Sequence, residues 1–165
     1  MSRTRKSYEP GHQRTLLVVI DETPECDRAV YYASRRAMRT GGRLVMLAIV
    51  SVGEVNQQWL GVGDLMLEEA REEAESRLAQ YAARARNLAD IDPQRVLRQG
   101  VKSDEILKLI DEDEDIALLV LAAGIGAEGP GPLVSSIAGT SSGTFPVPIT
   151  IVPGHLSDQE LDALA

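Results

Sequence analysis

Three short, uninterrupted apolar runs set the limits on this chain: TLLVVI at residues 15–20, LVMLAIV at 44–50 and IALLVLA at 116–122. Each is too short for an independent helix and rich in branched side chains, the pattern of a strand covered on both faces. Between them the period changes. Thr23 and Pro24 fit an N-cap and first helical position, and Cys26, Ala29, Val30, Ala33 and Ala37 recur at helical spacing until Gly41 and Gly42. A long helix over 64–88 lays Leu67, Ala70, Ala74, Leu78, Tyr81, Ala85 and Leu88 in one stripe opposite Glu68, Glu69, Arg71, Glu72, Glu73 and Glu75. A weaker strand at 95–99, a helix capped by Ser103 and running to Glu112, a helix over 132–143 and a fifth strand at 149–152 complete the alternation. Pro146 and Pro148 just ahead of that last strand assign it to an edge, because a central strand needs its amide donors. This order predicts an α/β fold, an open five-stranded parallel sheet of order 3-2-1-4-5 with helices on both faces. Its ligand crevice belongs outside the carboxyl ends of the first and fourth strands, where the strand order reverses. Asp21 follows the first of these and a glycine-rich stretch follows the fourth.

Length and charge narrow the functions. With 165 residues the chain makes one domain, and a net charge of −8 gives no broad electrostatic footprint for nucleic acid. No apolar run approaches the roughly 20 residues of a membrane span, and no signal-peptide core is present, so a cytoplasmic location is expected. Cys26 is the single cysteine, so no internal disulfide forms, and with His12 and His155 as the two histidines a zinc site lacks ligands. Residues 1–13 (MSRTRKSYEPGHQ) read as a flexible basic arm, 14–153 as the domain and 154–165 as a short helical tail opened by the capping box SDQE. The loop that carries Trp59 leaves the second strand at the crevice edge and reads as a flap. The acidic run DEDED at 111–115 reads as a solvated connection at the far end of the sheet.

The stretch GIGAEGPGPLVSSIAGTSS, residues 124–142, decides between ligand classes. Its opening spells GxGxxG, yet the dinucleotide reading needs the motif after the first strand and an acidic residue about 20 positions on, and PVPITIVPG stands there instead. No GxxxxGK followed by Ser or Thr occurs, which excludes a Walker A loop. Taken from Gly126, the spacing is Gly126, two residues, Gly129, nine residues, Gly139 and then Thr140. In this motif, in TLLVVID, in LAIV and in PVPITIV, over roughly residues 14–152, the chain resembles the universal stress protein family in its nucleotide-binding form.

The resemblance implies an adenine nucleotide α-hydrolase-like fold and a homodimer paired through the fifth strand. It also implies ATP or a related adenine nucleotide as a regulatory ligand, with Mg²⁺ as the candidate companion ion. Asp21 and the backbone at Ile49 would meet adenine or its sugar; Gly126, Gly129, Gly139, Thr140 and Ser141 would meet ribose and phosphates. No general base is paired with a nucleophile, so no catalytic residue is assigned and any ATP hydrolysis is expected to be slow. After Lys108 the chain has no lysine or arginine; Arg28 and Arg43 are the candidates to supply charge from elsewhere. That deficit keeps an alternative open, a dimeric interaction module of the same fold that has lost its nucleotide. An adenylate-transferring enzyme would need an SGGxDS-like loop after the first strand, where DETPEC stands.

Overall fold

The computed structural model describes residues 3–51 and 60–165. Five parallel strands, β1 (Thr15–Ile20), β2 (Arg43–Val50), β3 (Gln94–Gln99), β4 (Ile116–Ala123) and β5 (Ile149–Pro153), form one sheet in the order β3-β2-β1-β4-β5. β1 is central and wholly buried, and its alternate residues feed two cores. Leu16, Val18 and Ile20 pack with α1 (Cys26–Thr40) and α2 (Leu60–Ala89), while Leu17 and Val19 pack with α3 (Lys102–Glu112) and the segment before β5. Continuous hydrophobicity thus reflects a strand of period two that meets an apolar layer on each side.

The helices begin and end where backbone chemistry allows. Gly41 takes a left-handed conformation (φ 67°), and the amide of Gly42 returns to the carbonyl of Ala37, which stops α1 with its last carbonyls satisfied. α1 starts at Cys26 rather than at Pro24, because the Thr23 hydroxyl donates to Asp21 instead of capping the helix. α2 begins at Leu60, ahead of the expected Asp64; extension of a formed helix across glycine costs only about 1 kcal/mol per residue, less than a new nucleus. α3 likewise starts two residues early, with Val101 at the N-cap position, so Ser103 lies inside its first turn and makes no cap. The single helix expected over 132–143 is instead a short α4 (Pro132–Val134) that widens into π-type turns over Ser135–Thr140 and tightens into a 3₁₀ turn over Ser142–Thr144.

Residues 3–13 and the carboxyl-terminal segment are both built into the fold. The capping box at Ser157 and Glu160 starts α5 (Asp158–Leu164), whose Leu161 is fully buried. Tyr31 donates to Asp162, and Arg28 donates to the Leu156 carbonyl and to Asp158. Residues 3–13, expected as a mobile arm, lie along the α3–β4 turn. One nitrogen of Arg5 donates to the carbonyls of Ile110 (2.6 Å) and Asp113 (3.1 Å), and the Lys6 amide donates to the Glu114 carbonyl. The DEDED turn is therefore a docking seat for the arm rather than a bare solvated connection. Residues 52–59, and with them the flap expected at Trp59, lie outside the described residues. No helix among the described residues is long and apolar enough to cross a membrane.

Candidate functional site

A cleft of about 310 Å³ opens at the carboxyl ends of β1 and β4. Val19, Leu121 and Ala122 line it from the sheet, Cys26 from the start of α1, Pro132, Leu133 and Val134 from α4, and Val101, Lys102 and Ser103 from the start of α3. Asp21, Glu22 and Glu25, all from the β1–α1 turn, also face it. An apolar body with a few polar groups at the mouth suits a flat aromatic ring with a polar appendage.

Asp21 has a double role. Its Oδ1 accepts from the amide of Thr23 (3.0 Å) and from the Thr23 hydroxyl (2.5 Å), which closes the turn out of β1. No hydrogen bond within the described residues occupies Oδ2, which leaves an acceptor at the cleft. Beneath it, the Asp21 amide donates to Cys26 Sγ at 3.5 Å, and the thiol lies 3.7 Å from the carbonyl of Val19. Burial pushes that thiol up to about 12, so Cys26 is a neutral packing residue and not a nucleophile.

The expected site residues separate into three places. Asp21 lines the main cleft. Ile49 lines a second cleft of about 340 Å³ between β2 and α2, with Val50, Ser51, Ala70, Glu73 and Arg77. Gly126, Gly129, Gly139, Thr140 and Ser141 line neither cleft and are exposed on the segment that leaves β4. The loop closes on itself through the Gly129 amide to the Gly126 carbonyl and the Gly124 amide to the Pro130 carbonyl. From that stretch the main cleft instead receives Pro130, Gly131 and Ser136.

The glycines also differ among themselves. Gly129 has φ 91°, a conformation that other residues rarely adopt, so the turn alone accounts for it. Gly126 and Gly139 have no positive φ, and a Cβ on either would meet nothing within 4 Å. Neither local strain nor packing explains why these two positions lack side chains, and backbone exposed in this way is what close approach by a ligand requires.

Charge reaches the clefts from residues that the sequence reading passed over. Arg28 is engaged by Asp27 and Asp158, and Arg43 lies at the amino end of β2 beside Asp113. Lys102, in contrast, lines both clefts, as does Glu22. The signal was available: Lys102 follows β3 as Asp21 follows β1, and the rule that places ligands beyond strand ends applies equally to both. Among the described residues, no group of three or more His, Cys, Asp or Glu side chains could hold a metal ion.

Fold and cleft together define a doubly wound parallel α/β protein with its cavity at the switch point of the sheet. Within that class the chain belongs to the universal stress protein family: the model described as "Universal stress protein family" matches residues 13–153. No curated protein matches the sequence. Among solved structures, it is similar to universal stress protein UspA from Lactobacillus plantarum, at 17% identity and TM-score 0.73, over 84% of this chain and 97% of that one. It is similar to a universal stress protein solved in complex with cAMP (19% identity, TM-score 0.55, 86% of this chain and 97% of that one). It is also similar to the universal stress protein from Archaeoglobus fulgidus in complex with dAMP (16% identity, TM-score 0.52, 84% and 97%).

Proposed function

We propose that the chain binds an adenine nucleotide, ATP or a related species, as a regulatory ligand in the cytoplasm and acts as a homodimer. The observation that carries this reading is the apolar cleft beside Asp21, with the glycine motif leaving the neighbouring strand. Two solved relatives of the same fold are described in complex with cAMP and dAMP, which supports an adenine ring as the common element. Asp21 Oδ2 would accept from the base or the ribose, and the backbone at Ile49 would border the sugar. Open backbone at Gly126 and Gly139, with Gly129, Thr140 and Ser141, would approach ribose and phosphate. A bound nucleotide brings anionic oxygens that attract Mg²⁺, and the ion would arrive with the ligand.

The dimer reading rests on β5. Its outer edge has no strand partner among the described residues, and Ile151 in this strand is 38% exposed. An edge with bare amides and carbonyls invites a second copy to pair with it.

Isothermal titration with ATP, ADP and AMP, with and without Mg²⁺, tests the nucleotide; light scattering at micromolar concentration tests the dimer. Saturable binding of at least one adenine nucleotide and a mass of two chains are expected. Absence of any binding at millimolar nucleotide would replace this reading by the interaction module, for which the position of the glycine loop outside both clefts already speaks.

A further inference from the structure

The two most exposed large apolar side chains among the described residues are Tyr8 (83%) and Ile125 (73%), and they flank opposite ends of one edge strand. Tyr8 shares a cavity with Pro146, Val147 and Pro148, just ahead of β5, on an arm held by Arg5 and by the buried Ser7. Ile125 lies over Gly154, just after β5, with its Cγ2 3.4 Å from where a Cβ on that glycine would stand. A two-fold axis through β5 exchanges the ends of the strand, so what borders its start in one copy faces what borders its end in the other. Backbone chemistry then chooses the register. The Pro148 carbonyl accepts from the Leu119 amide, and the Gly154 amide donates to the Ala123 carbonyl. Even-numbered residues of β5 therefore face β4, and Ile149, Ile151 and Pro153 face outward. With Ile151 on the axis, Pro153 would stand opposite Ile149 of the other copy, its ring where an amide hydrogen is needed. With Thr150 on the axis, Ile149 of each copy exchanges both of its bonds with Ile151 of the other, and no proline enters the ladder. In that register Pro146 and Gly154, each four positions from Thr150, fall opposite one another. These are the seats of Tyr8 and Ile125.

We propose that a second copy of this chain pairs antiparallel with β5, with Thr150 on the two-fold axis, and that Tyr8 of each chain packs on Ile125 of the other. This rests on the homodimer reading above and adds the register and the amino-terminal arm as an interface element. Amide accounting along β5 and the positions of the two exposed side chains are separate observations, and both lead to the same pairing. The contact covers the two apolar side chains that the single chain leaves most open to water. Tyr8 precedes the residues 13–153 that match the family, so the contact lies outside the domain that the family shares.

Introduced cysteines test the pairing, since the native Cys26 is buried. Under mild oxidation Thr150→Cys should form a disulfide-linked dimer, because directly opposite residues of a non-hydrogen-bonded pair lie about 4.5 Å apart at Cα. Ile151→Cys should not, because its copy is displaced by two residues along the strand. Tyr8→Cys and Ile125→Cys chains, co-expressed and treated with a short bismaleimide, should give a linked heterodimer, while each variant alone stays unlinked. Tyr8→Ala and Ile125→Ala should each raise the dimer dissociation constant by roughly tenfold in sedimentation. A wild-type dimer in which Thr150→Cys fails to link, or in which the Tyr8→Cys and Ile125→Cys chains stay unlinked, overturns the inference and leaves the homodimer standing. A wild type that sediments as a monomer at micromolar concentration overturns both.

Discussion

At the amino end of the sheet, Lys6 and Arg43 meet Glu114 and Asp113 in ion pairs, His12 shares a hydrogen bond with Asp115, and Arg5 is spent on backbone carbonyls. At the carboxyl end, Asp21, Glu22, Glu25 and Lys102 surround a cleft and form no ion pair among the described residues. Composition does not distinguish the two ends, since each carries a mixture of acids and bases. The difference lies in what the charges face. Paired charges at the amino end hold a segment in place and can be read as structure. Unpaired charges gathered at the rim of an apolar cavity are solvated only until something enters, and they therefore set which ligand can do so.

The sharpest break of this comparison is Gly139→Val. The position has ordinary φ and open space, so the folded state should be retained while nucleotide binding is lost, by about a hundredfold or more if the branched side chain fills ligand space. Gly129→Val is the control: its φ of 91° strains any other residue, so it should lower the melting temperature as well. Titration and thermal melts of both variants check this. Equal binding by wild type and a folded Gly139→Val protein would move the ligand away from the glycine loop.

Arg5→Ala should act in the opposite sense. It removes a guanidinium shared by the Ile110 and Asp113 carbonyls, and a loss of roughly 1 to 3 kcal/mol in urea unfolding is expected, with nucleotide affinity unchanged. A change in affinity without a change in stability would show that the two ends are coupled.

Acid should loosen the same end. Burial works against the Asp115 carboxylate, but the hydrogen bonds from His12 and from the Gln13 amide outweigh it and hold its pKa below the usual value. A lowered folded pKa means that the stabilisation is present above the ordinary carboxylate range and is lost as pH falls through the lowered value. The protection factors for hydrogen exchange at the Lys6 and Thr15 amides, which donate to the Glu114 and Asp115 carbonyls, should therefore fall on acidification once the intrinsic pH dependence of exchange is divided out; Asp115→Asn should remove part of that fall. The smallest effect is expected from Glu25→Gln, a change within about 0.5 kcal/mol in stability, because the Glu25 carboxylate at the rim of the cleft makes no hydrogen bond or ion pair among the described residues.

Much of this architecture was legible in the chain. A run such as TLLVVI can satisfy its backbone and bury both faces only in a parallel sheet, so strand order and the edge position of ITIV followed from local pattern and connection rules. The spacing from Gly126 to Thr140 identified the family because it is a property of contiguous sequence. Pairing is different in kind. Whether Arg5 floats or docks depends on Ile110 and Asp113, more than a hundred residues away, and whether Arg28 faces a ligand depends on Asp158. The sequence alone determined the sheet, the family and the strand ends that border the cleft. Only the tertiary structure decided which charges are neutralised and which remain there, because the energy of a charge is set by the neighbours that folding brings within a few ångströms and not by its neighbours in the chain.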